Sequence, residues 1–366
     1  MVANILYRGP LERSRLSFLA ESTAQAYGDT KLIWLCSRRL TRFMVEHFQS
    51  FMVRNPWIKD WEIVAGKSLE APLSIANLRN VLKQPDAPLV AIGVTVPLYA
   101  RFCVRGSFIW CINGIPEEAL INRTNLLKSL YVKLLWRLAS HSCYPDLIVT
   151  VSNPMSTFIS ERCQTRKILA VPNCVDVNLF KPEKTFPRRF MTYLGTGAPW
   201  QGLDYLSRVW IELYRLDHNL RFRVISRDER TRILSNDLPP EAIEFHAVEE
   251  PNEVAQLLWE SEAGFVLRSP HLINRVSFPT KFAEYLAAGA YVVTTDMRWD
   301  PSDIVKKTGC GILSSPDLDP KSVAQSVIDF RNNGATKKDI SQHCLSATRL
   351  LDRRHWVAHL ASYMPQ

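Results

Sequence analysis

Lys281 and Glu284 stand three residues apart within the stretch 268–296, RSPHLINRVSFPTKFAEYLAAGAYVVTTD. A cation and a carboxylate at that spacing share one side of a helix. The chemistry they suit is the holding of an anion beside hydroxyl groups. Lys281 supplies positive charge, and Glu284 can accept hydrogen bonds from a pair of hydroxyls. Just ahead, Ser277-Phe278-Pro279-Thr280 closes a polar loop and opens the helix. Ser277 is the expected N-cap, and a proline there is tolerated because first-turn N–H groups have no intrahelical partner. Those amides and the positive end of the helix dipole add to the attraction for an anion. A nucleotide sugar, with its diphosphate beside a ribose, meets this description. The same pattern also fits an ordinary helix that starts with a serine and carries Lys and Glu for solubility.

The elements that must position these groups follow from apolar spacing. Phe282 and Leu286 lie one turn apart and are expected to face the core, while Lys281, Glu284 and Ala288 share another face. Gly289 stops the helix, and 290–295 reads as a buried strand. Upstream, a strand at 190–194 runs into the glycine-bearing loop Gly195-Thr196-Gly197-Ala198-Pro199-Trp200-Gln201-Gly202, then a helix at 203–216. Strands at 220–225, 243–247 and 263–267, with a helix at 254–260, complete this alternation. Helices at 322–332, 337–345 and 348–363 finish the chain.

The first half repeats the scheme, with strands at 2–7, 32–36, 61–65, 89–94, 108–112, 147–151 and 167–171. Helices are expected at 13–27, 40–53, 73–82, 125–140 and 154–163. Strands alternating with helices imply βαβ units and parallel sheets, with ligands at the carboxyl ends of the strands. The class is therefore α/β. No G-x-G-x-x-G follows the first strand, which argues against a dehydrogenase. Glu117 and Glu118 follow the 108–112 strand, where they either contact a substrate or complement a helix dipole. Helix 125–140 carries Leu127, Leu130, Leu134 and Leu138 as one stripe, flanked by Lys128, Lys133 and Arg137. Such a helix lies either on an anionic membrane or in the core with its basic side chains reaching out to water. The polar, proline-broken run at 183–189 marks a boundary, giving domains 1–182 and 188–345 and a last helix within 346–366.

At 366 residues the chain is long enough for two domains with full cores. Its net charge of +9 favours anionic partners, among them nucleic acid, an anionic membrane and phosphorylated substrates. The basic residues are dispersed, and no nucleic-acid-binding module is present, so nucleic acid ranks last. The eight cysteines form no C-x-x-C pair, which fits reduced thiols in the cytoplasm better than a disulfide framework. No apolar signal region and no run long enough to span a bilayer occurs, so the expected location is cytoplasmic, with peripheral contact on a membrane face.

Three segments together resemble family-4 glycosyltransferases of the GT-B fold, in particular bacterial polysaccharide-assembly members. Val171-Pro172-Asn173-Cys174-Val175-Asp176 through Phe180-Lys181-Pro182 is similar to the family's interdomain signature. Tyr193-Leu194-Gly195 with Trp200-Gln201-Gly202-Leu203-Asp204 is similar to the opening of its donor domain. Pro279–Gly289 is similar to its donor-binding helix. In the first half only Gly114-Ile115-Pro116-Glu117-Glu118 carries the likeness.

The resemblance implies two Rossmann-like domains facing across a cleft, with the acceptor in the first and the donor in the second. The last helix would cross back to the first domain. It implies transfer of a sugar from a nucleotide-diphosphate sugar to a glycan or lipid-linked acceptor. Configuration would be retained without a bound metal or other cofactor, and no D-x-D motif flanked by apolar residues occurs. Glu284 would hold the donor ribose. The family's first motif glutamate falls at Val276, and its basic pair in the glycine loop falls at Thr196 and Gln201, both neutral. Arg268, Arg275 and Lys281 are then left to compensate the diphosphate, with Lys281 and Arg268 as the catalytic cations. Ser277, Pro279, Thr280, Gly195, Thr196, Gly197 and Gln201 would line the donor. Arg8, Glu117 and Glu118 would meet the acceptor. A non-catalytic sugar-nucleotide-binding subunit and a sugar-nucleotide epimerase of the same fold stay open as alternatives.

Overall fold

The computed structural model describes residues 3–7, 13–36, 51–65, 86–93, 96, 98, 105–117, 126–165, 167–182, 186–248, 250–317, 319–332 and 337–365. Two compact units emerge, one of residues 1–172 with 354–366 and one of residues 173–353. The division falls inside the motif that begins at Val171.

The first unit is built on a seven-stranded sheet ordered β3-β2-β1-β4-β5-β6-β7. Its strands are β1 (Ala3–Tyr7), β2 (Thr30–Cys36), β3 (Ile58–Ala65), β4 (Leu89–Ile92), β5 (Phe108–Cys111), β6 (Leu147–Thr150) and β7 (Ile168–Ala170). Every pairing is parallel. The apolar runs LVAI and LIVT of β4 and β6 are buried throughout, as strands covered on both faces must be. Described helices of this unit are α1 (Arg13–Tyr27), α2 (Leu126–Ser142) and α3 (Asn153–Ser160). Ser152 caps α3 by accepting from the Met155 amide, with a proline in the first turn. Among the described side chains of α2, Trp136, Ala139 and Ser140 are buried, with the Trp136 ring 5.2 Å from that of Trp110. Of the expected leucine stripe, Leu130, Leu134 and Leu138 face outward at 53%, 54% and 47% exposure, and the side chain of Leu127 lies outside the described residues.

The second unit carries a six-stranded parallel sheet ordered β10-β9-β8-β11-β12-β13. These strands are β8 (Phe190–Leu194), β9 (Arg221–Ile225), β10 (Ile243–His246), β11 (Ser261–Val266), β12 (Tyr291–Thr295) and β13 (Gly311–Ser314). Its helices are α4 (Val177–Phe180), α5 (Leu203–Leu216), α6 (Pro251–Trp259), α7 (Leu272–Val276), α8 (Thr280–Ala287), α9 (Asp300–Thr308), α10 (Pro320–Asn332) and α11 (Lys337–Arg349). A last helix, α12 (Arg353–Tyr363), lies almost wholly among residues of the first unit, where the Tyr27 hydroxyl donates to the Pro365 carbonyl at 2.6 Å. Trp210 of α5 anchors the core of the second unit against Phe222 and Phe265, at 4.9 and 5.9 Å between ring centres. The expected helix at 73–82 and most of that at 40–53 lie outside the described residues.

Candidate functional site

In the second unit β8 lies between β9 and β11, so the chain leaves β8 toward one edge of the sheet and later returns to its other side. That reversal opens a crevice at the carboxyl ends of β8 and β11, where parallel sheets hold their ligands. The glycine loop after β8, the loop after β11 and the start of α8 all meet there.

The helix start differs in one respect from the sequence expectation. Pro279, not Ser277, occupies the N-cap of α8, and no side chain caps it. Ser277 instead ends α7, donating its hydroxyl to the Asn274 carbonyl at 2.9 Å. With Ser277 held by α7, the cap position falls to a residue whose side chain has no acceptor. Asn173, from the motif at 171–182, donates to the Phe278 carbonyl at 2.6 Å and fixes the approach to the helix. At the far end Arg188 donates to the Ala288 carbonyl at 2.7 Å and to the Ser261 carbonyl at 2.9 Å. Phe282 and Leu286 are buried as expected.

Lys281 is buried, and its Nζ makes no hydrogen bond among the described residues. The ammonium lies 4.0 Å from the centre of the Tyr193 ring, a cation–π contact. It also lies 3.0 Å from where a Cβ on Gly195 would stand, so the glycine, with φ at +131°, leaves the space the cation uses. Burial pulls the Lys281 pKa well down, the Arg268 guanidinium pulls the same way, and Glu284 opposes both. Burial pushes the Glu284 carboxyl up to about 7 against the pull of Lys281. Burial thus works against the charged form of both groups, while each favours the charged form of the other.

Arg268 is the second cation, also buried. It donates to the Gln201 Oε1 at 3.0 Å and to the Ser277 hydroxyl at 3.2 Å, while its own amide donates to the Thr295 hydroxyl at 2.9 Å. Asn274 strengthens the same join by donating to the carbonyls of Trp200 and Ser269. Gln201 thus holds a cation in place rather than supplying one. Three amides of the glycine loop are already engaged: Gly195 N–H donates to the Ile225 carbonyl, Gly197 N–H to the Asp228 carboxylate at 2.8 Å, and Gln201 N–H to the Ala198 carbonyl at 2.9 Å. Asp228 is also gripped by the Arg230 guanidinium, which holds its carboxyl well below the usual range. The Thr196 carbonyl accepts from the Tyr193 hydroxyl at 2.6 Å.

Arg268, Ser277 and Gln201 are thus linked by hydrogen bonds at the crevice, while Lys281 stands beside Gly195 without joining them. Pro279 is buried and Thr280 partly so at the helix start. Arg275 is exposed on α7. In the first unit Glu117 is partly buried after β5, with one carboxylate oxygen 4.0 Å from Lys133 and the other lacking a hydrogen-bond partner among the described residues. Arg8 and Glu118 lie outside the described residues. Sequence reasoning passed over Tyr193, Tyr285, Gly264 and Asp228. Tyr285 accepts from the Leu194 amide at 2.7 Å and so supports the start of the glycine loop. Gly264 makes room for it, since a Cβ there would stand 2.2 Å from the Tyr285 ring. A glycine inside a strand was the one signal for this close approach.

Residues 188–333 match the family model described as "Glycosyl transferases group 1". The whole chain is similar in fold to solved structures at low identity. Anabaena Alr3699/HepE, in complex with UDP and glucose, gives a TM-score of 0.75 at 13% identity over 99% of both chains. The sucrose-phosphate synthase tll1590 from Thermosynechococcus elongatus gives 0.74 at 11% identity, covering 99% of this chain and 98% of that one. WaaG, a glycosyltransferase involved in lipopolysaccharide biosynthesis, gives 0.65 at 12% identity, covering 100% and 99%. No curated protein sequence matches the chain.

Proposed function

We propose, from the premise that this chain is a GT-B glycosyltransferase whose residues 188–333 belong to group 1, that it transfers a sugar from a nucleotide-diphosphate donor. The observation that carries the donor class is the buried Lys281 ammonium, which has a ring and a glycine beside it but no hydrogen-bond partner among the described residues. A charge so placed costs several kcal/mol, of order 3–5, unless a ligand of opposite sign pairs with it. A diphosphate is such a ligand, and charge-assisted hydrogen bonds to it are among the strongest available. Glu284, one turn along the helix, would accept from the ribose hydroxyls. The solved HepE complexes hold UDP with glucose and UDP-glucose, which supports a uridine donor here.

In this reading the second unit takes the donor and the first unit, through Glu117 and its neighbours, takes a glycan or lipid-linked acceptor of a polysaccharide pathway. As the sugar–phosphate bond breaks, negative charge grows on the leaving diphosphate. Lys281 and Arg268 stabilise it, with Gln201 and Ser277 keeping the guanidinium in position. The transfer would retain configuration and need no metal, as the family likeness implies. The described cysteines are free thiols and mostly buried, which supports a reducing, cytoplasmic setting.

Calorimetric titration of UDP-glucose and other nucleotide sugars tests the donor assignment. Glu284→Ala should abolish measurable affinity with the fold intact, and unchanged affinity would refute the ribose role. If no nucleotide sugar binds the wild-type chain, the donor reading fails altogether.

A further inference from the structure

Arg230 stands against the glycine loop, on the segment that leaves the carboxyl end of β9. Its backbone is fixed by the short 3₁₀ helix Glu229–Ser235, which Asp228 caps by accepting from the Arg230 amide at 3.1 Å. A Cβ on Gly197 would collide with the Arg230 Cβ, so the stem of the arginine packs directly on the glycine loop. Asp228 ties the two together. Its Oδ2 accepts from the Gly197 amide at 2.8 Å and from Arg230 Nη2 at 2.6 Å, and its Oδ1 accepts from Arg230 Nε at 2.9 Å.

These bonds use one edge of the guanidinium and leave the other open. A guanidinium carries five N–H donors in a planar fork. Asp228 takes the Nε hydrogen and one on Nη2, while Nη1 makes no hydrogen bond among the described residues. The Arg230 side chain is 62% exposed against 18% for Asp228, so the positive group is the outer one of the pair. The neighbouring carboxylate of Glu229 lies 3.6 Å from Arg232. Within the glycine loop itself, Thr196 and Gln201 are neutral.

We propose that Arg230 grips the donor diphosphate with its open edge, supplying from the β9 segment the positive charge that the glycine loop lacks. Asp228 is its positioning residue. The inference rests on the donor reading. A fork held along one edge by a carboxylate presents its other edge at a set angle, which suits bidentate pairing with phosphate. A clamp that only shaped the loop would need the Asp228 carboxylate on the Gly197 amide but no guanidinium turned to water. An ion pair so open to solvent adds little to stability.

The test is calorimetric titration of the full chain with UDP, UDP-glucose and uridine, the last taken to millimolar concentration, alongside thermal melting. Arg230→Gln should weaken UDP and UDP-glucose about tenfold or more, the worth of a charge-assisted hydrogen bond. Uridine affinity and the thermal midpoint should stay close to wild type, since neither depends on a phosphate contact. Arg230→Lys keeps the charge without the planar fork and should recover only part of the loss. Equal UDP affinity in wild type and Arg230→Gln overturns the proposal. An equal loss for uridine and UDP also overturns it, by assigning Arg230 to the nucleoside or to the loop's shape. Should Arg230→Gln fail to fold, Arg230→Lys decides, because UDP affinity equal to wild type would exclude the fork. A wild-type chain that binds neither UDP nor any nucleotide sugar brings down the donor reading and this inference together, whereas wild-type binding that Arg230→Gln retains brings down this inference alone.

Discussion

The ammonium of Lys281 and the ring of Tyr193 face one another at 4.0 Å, with a glycine where any side chain would intrude. The aromatic face moderates the burial of the charge without neutralising it. A cation kept this way remains available to a ligand, and four expectations follow from how it is kept.

Lys281→Met should move activity and stability in opposite directions. Loss of the cation should lower turnover on the order of a hundredfold, the usual cost of removing one donor aimed at a leaving group. The unliganded variant should be more stable than wild type, because a buried charge is gone. The Lys281 pKa is depressed by burial, so wild type carries this penalty at neutral and acid pH and sheds it as pH rises toward the ordinary 10.5. The stability gain should therefore shrink in alkaline buffer. Chemical denaturation at several pH values checks the sign, and a uniform loss of stability would contradict it.

Glu284→Gln should stabilise the chain in a different pH window. Burial raises this carboxyl from 4.5 to about 7, so folding disfavours its ionised form. The wild-type penalty is absent below pH 4.5, grows as pH rises to about 7, and is constant above that. The variant should match wild type in acid and exceed it in neutral and alkaline buffer. Donor affinity of the wild type should rise over the same interval, since the carboxylate accepts two hydroxyl bonds better than the acid does. A flat affinity profile from pH 6 to 8, on either side of the about 7 at which Glu284 titrates, would remove it from ribose recognition.

Gly195→Ala should cost about 1–3 kcal/mol, because φ of +131° is a conformation that side-chain-bearing residues rarely adopt. The new methyl also meets the Lys281 ammonium at 3.0 Å and must displace it. Melting temperature and donor affinity should fall together. A drop in stability with unchanged affinity would mean that the displaced lysine has no part in binding.

Tyr285→Phe should destabilise by about 1–3 kcal/mol, the cost of leaving the buried Leu194 amide without its acceptor. The hydroxyl also donates to the Thr192 carbonyl at 3.3 Å. Because Leu194 leads into the glycine loop, KM for the donor should rise while kcat changes less. Urea denaturation with steady-state kinetics reads both quantities.

Most of the fold is legible in the chain because buried parallel strands announce themselves as apolar runs. LVAI, LIVT and YVVTT need no context to be read. The elements α9 and β13 are not legible in the same way. Helix α9 reads DPSDIVKKT, burying only Pro301, Ser302 and Val305, and GILS of β13 is short and only partly covered. Their formation depends on neighbours distant in sequence. Within the site, Lys281 and Glu284 could be found from charge and spacing, but the role of Gln201 could not. A neutral side chain that orients a guanidinium from 67 positions away leaves no local pattern. The leucines of α2 are legible only in part, since helical periodicity reports that a face is apolar without saying what covers it.

Arg188 has a consequence at a distance. By clasping the carbonyl of Ala288 at the C-cap of α8 and that of Ser261, the first residue of β11, it holds the last turn and offsets the negative pole there. The helix is thus held by side chains at both ends, by Asn173 through the Phe278 carbonyl and by Arg188, but only its negative pole has a cation seated on it, since no side chain caps Pro279. A lesion at Arg188 would therefore mimic damage to the crevice from a full helix length away.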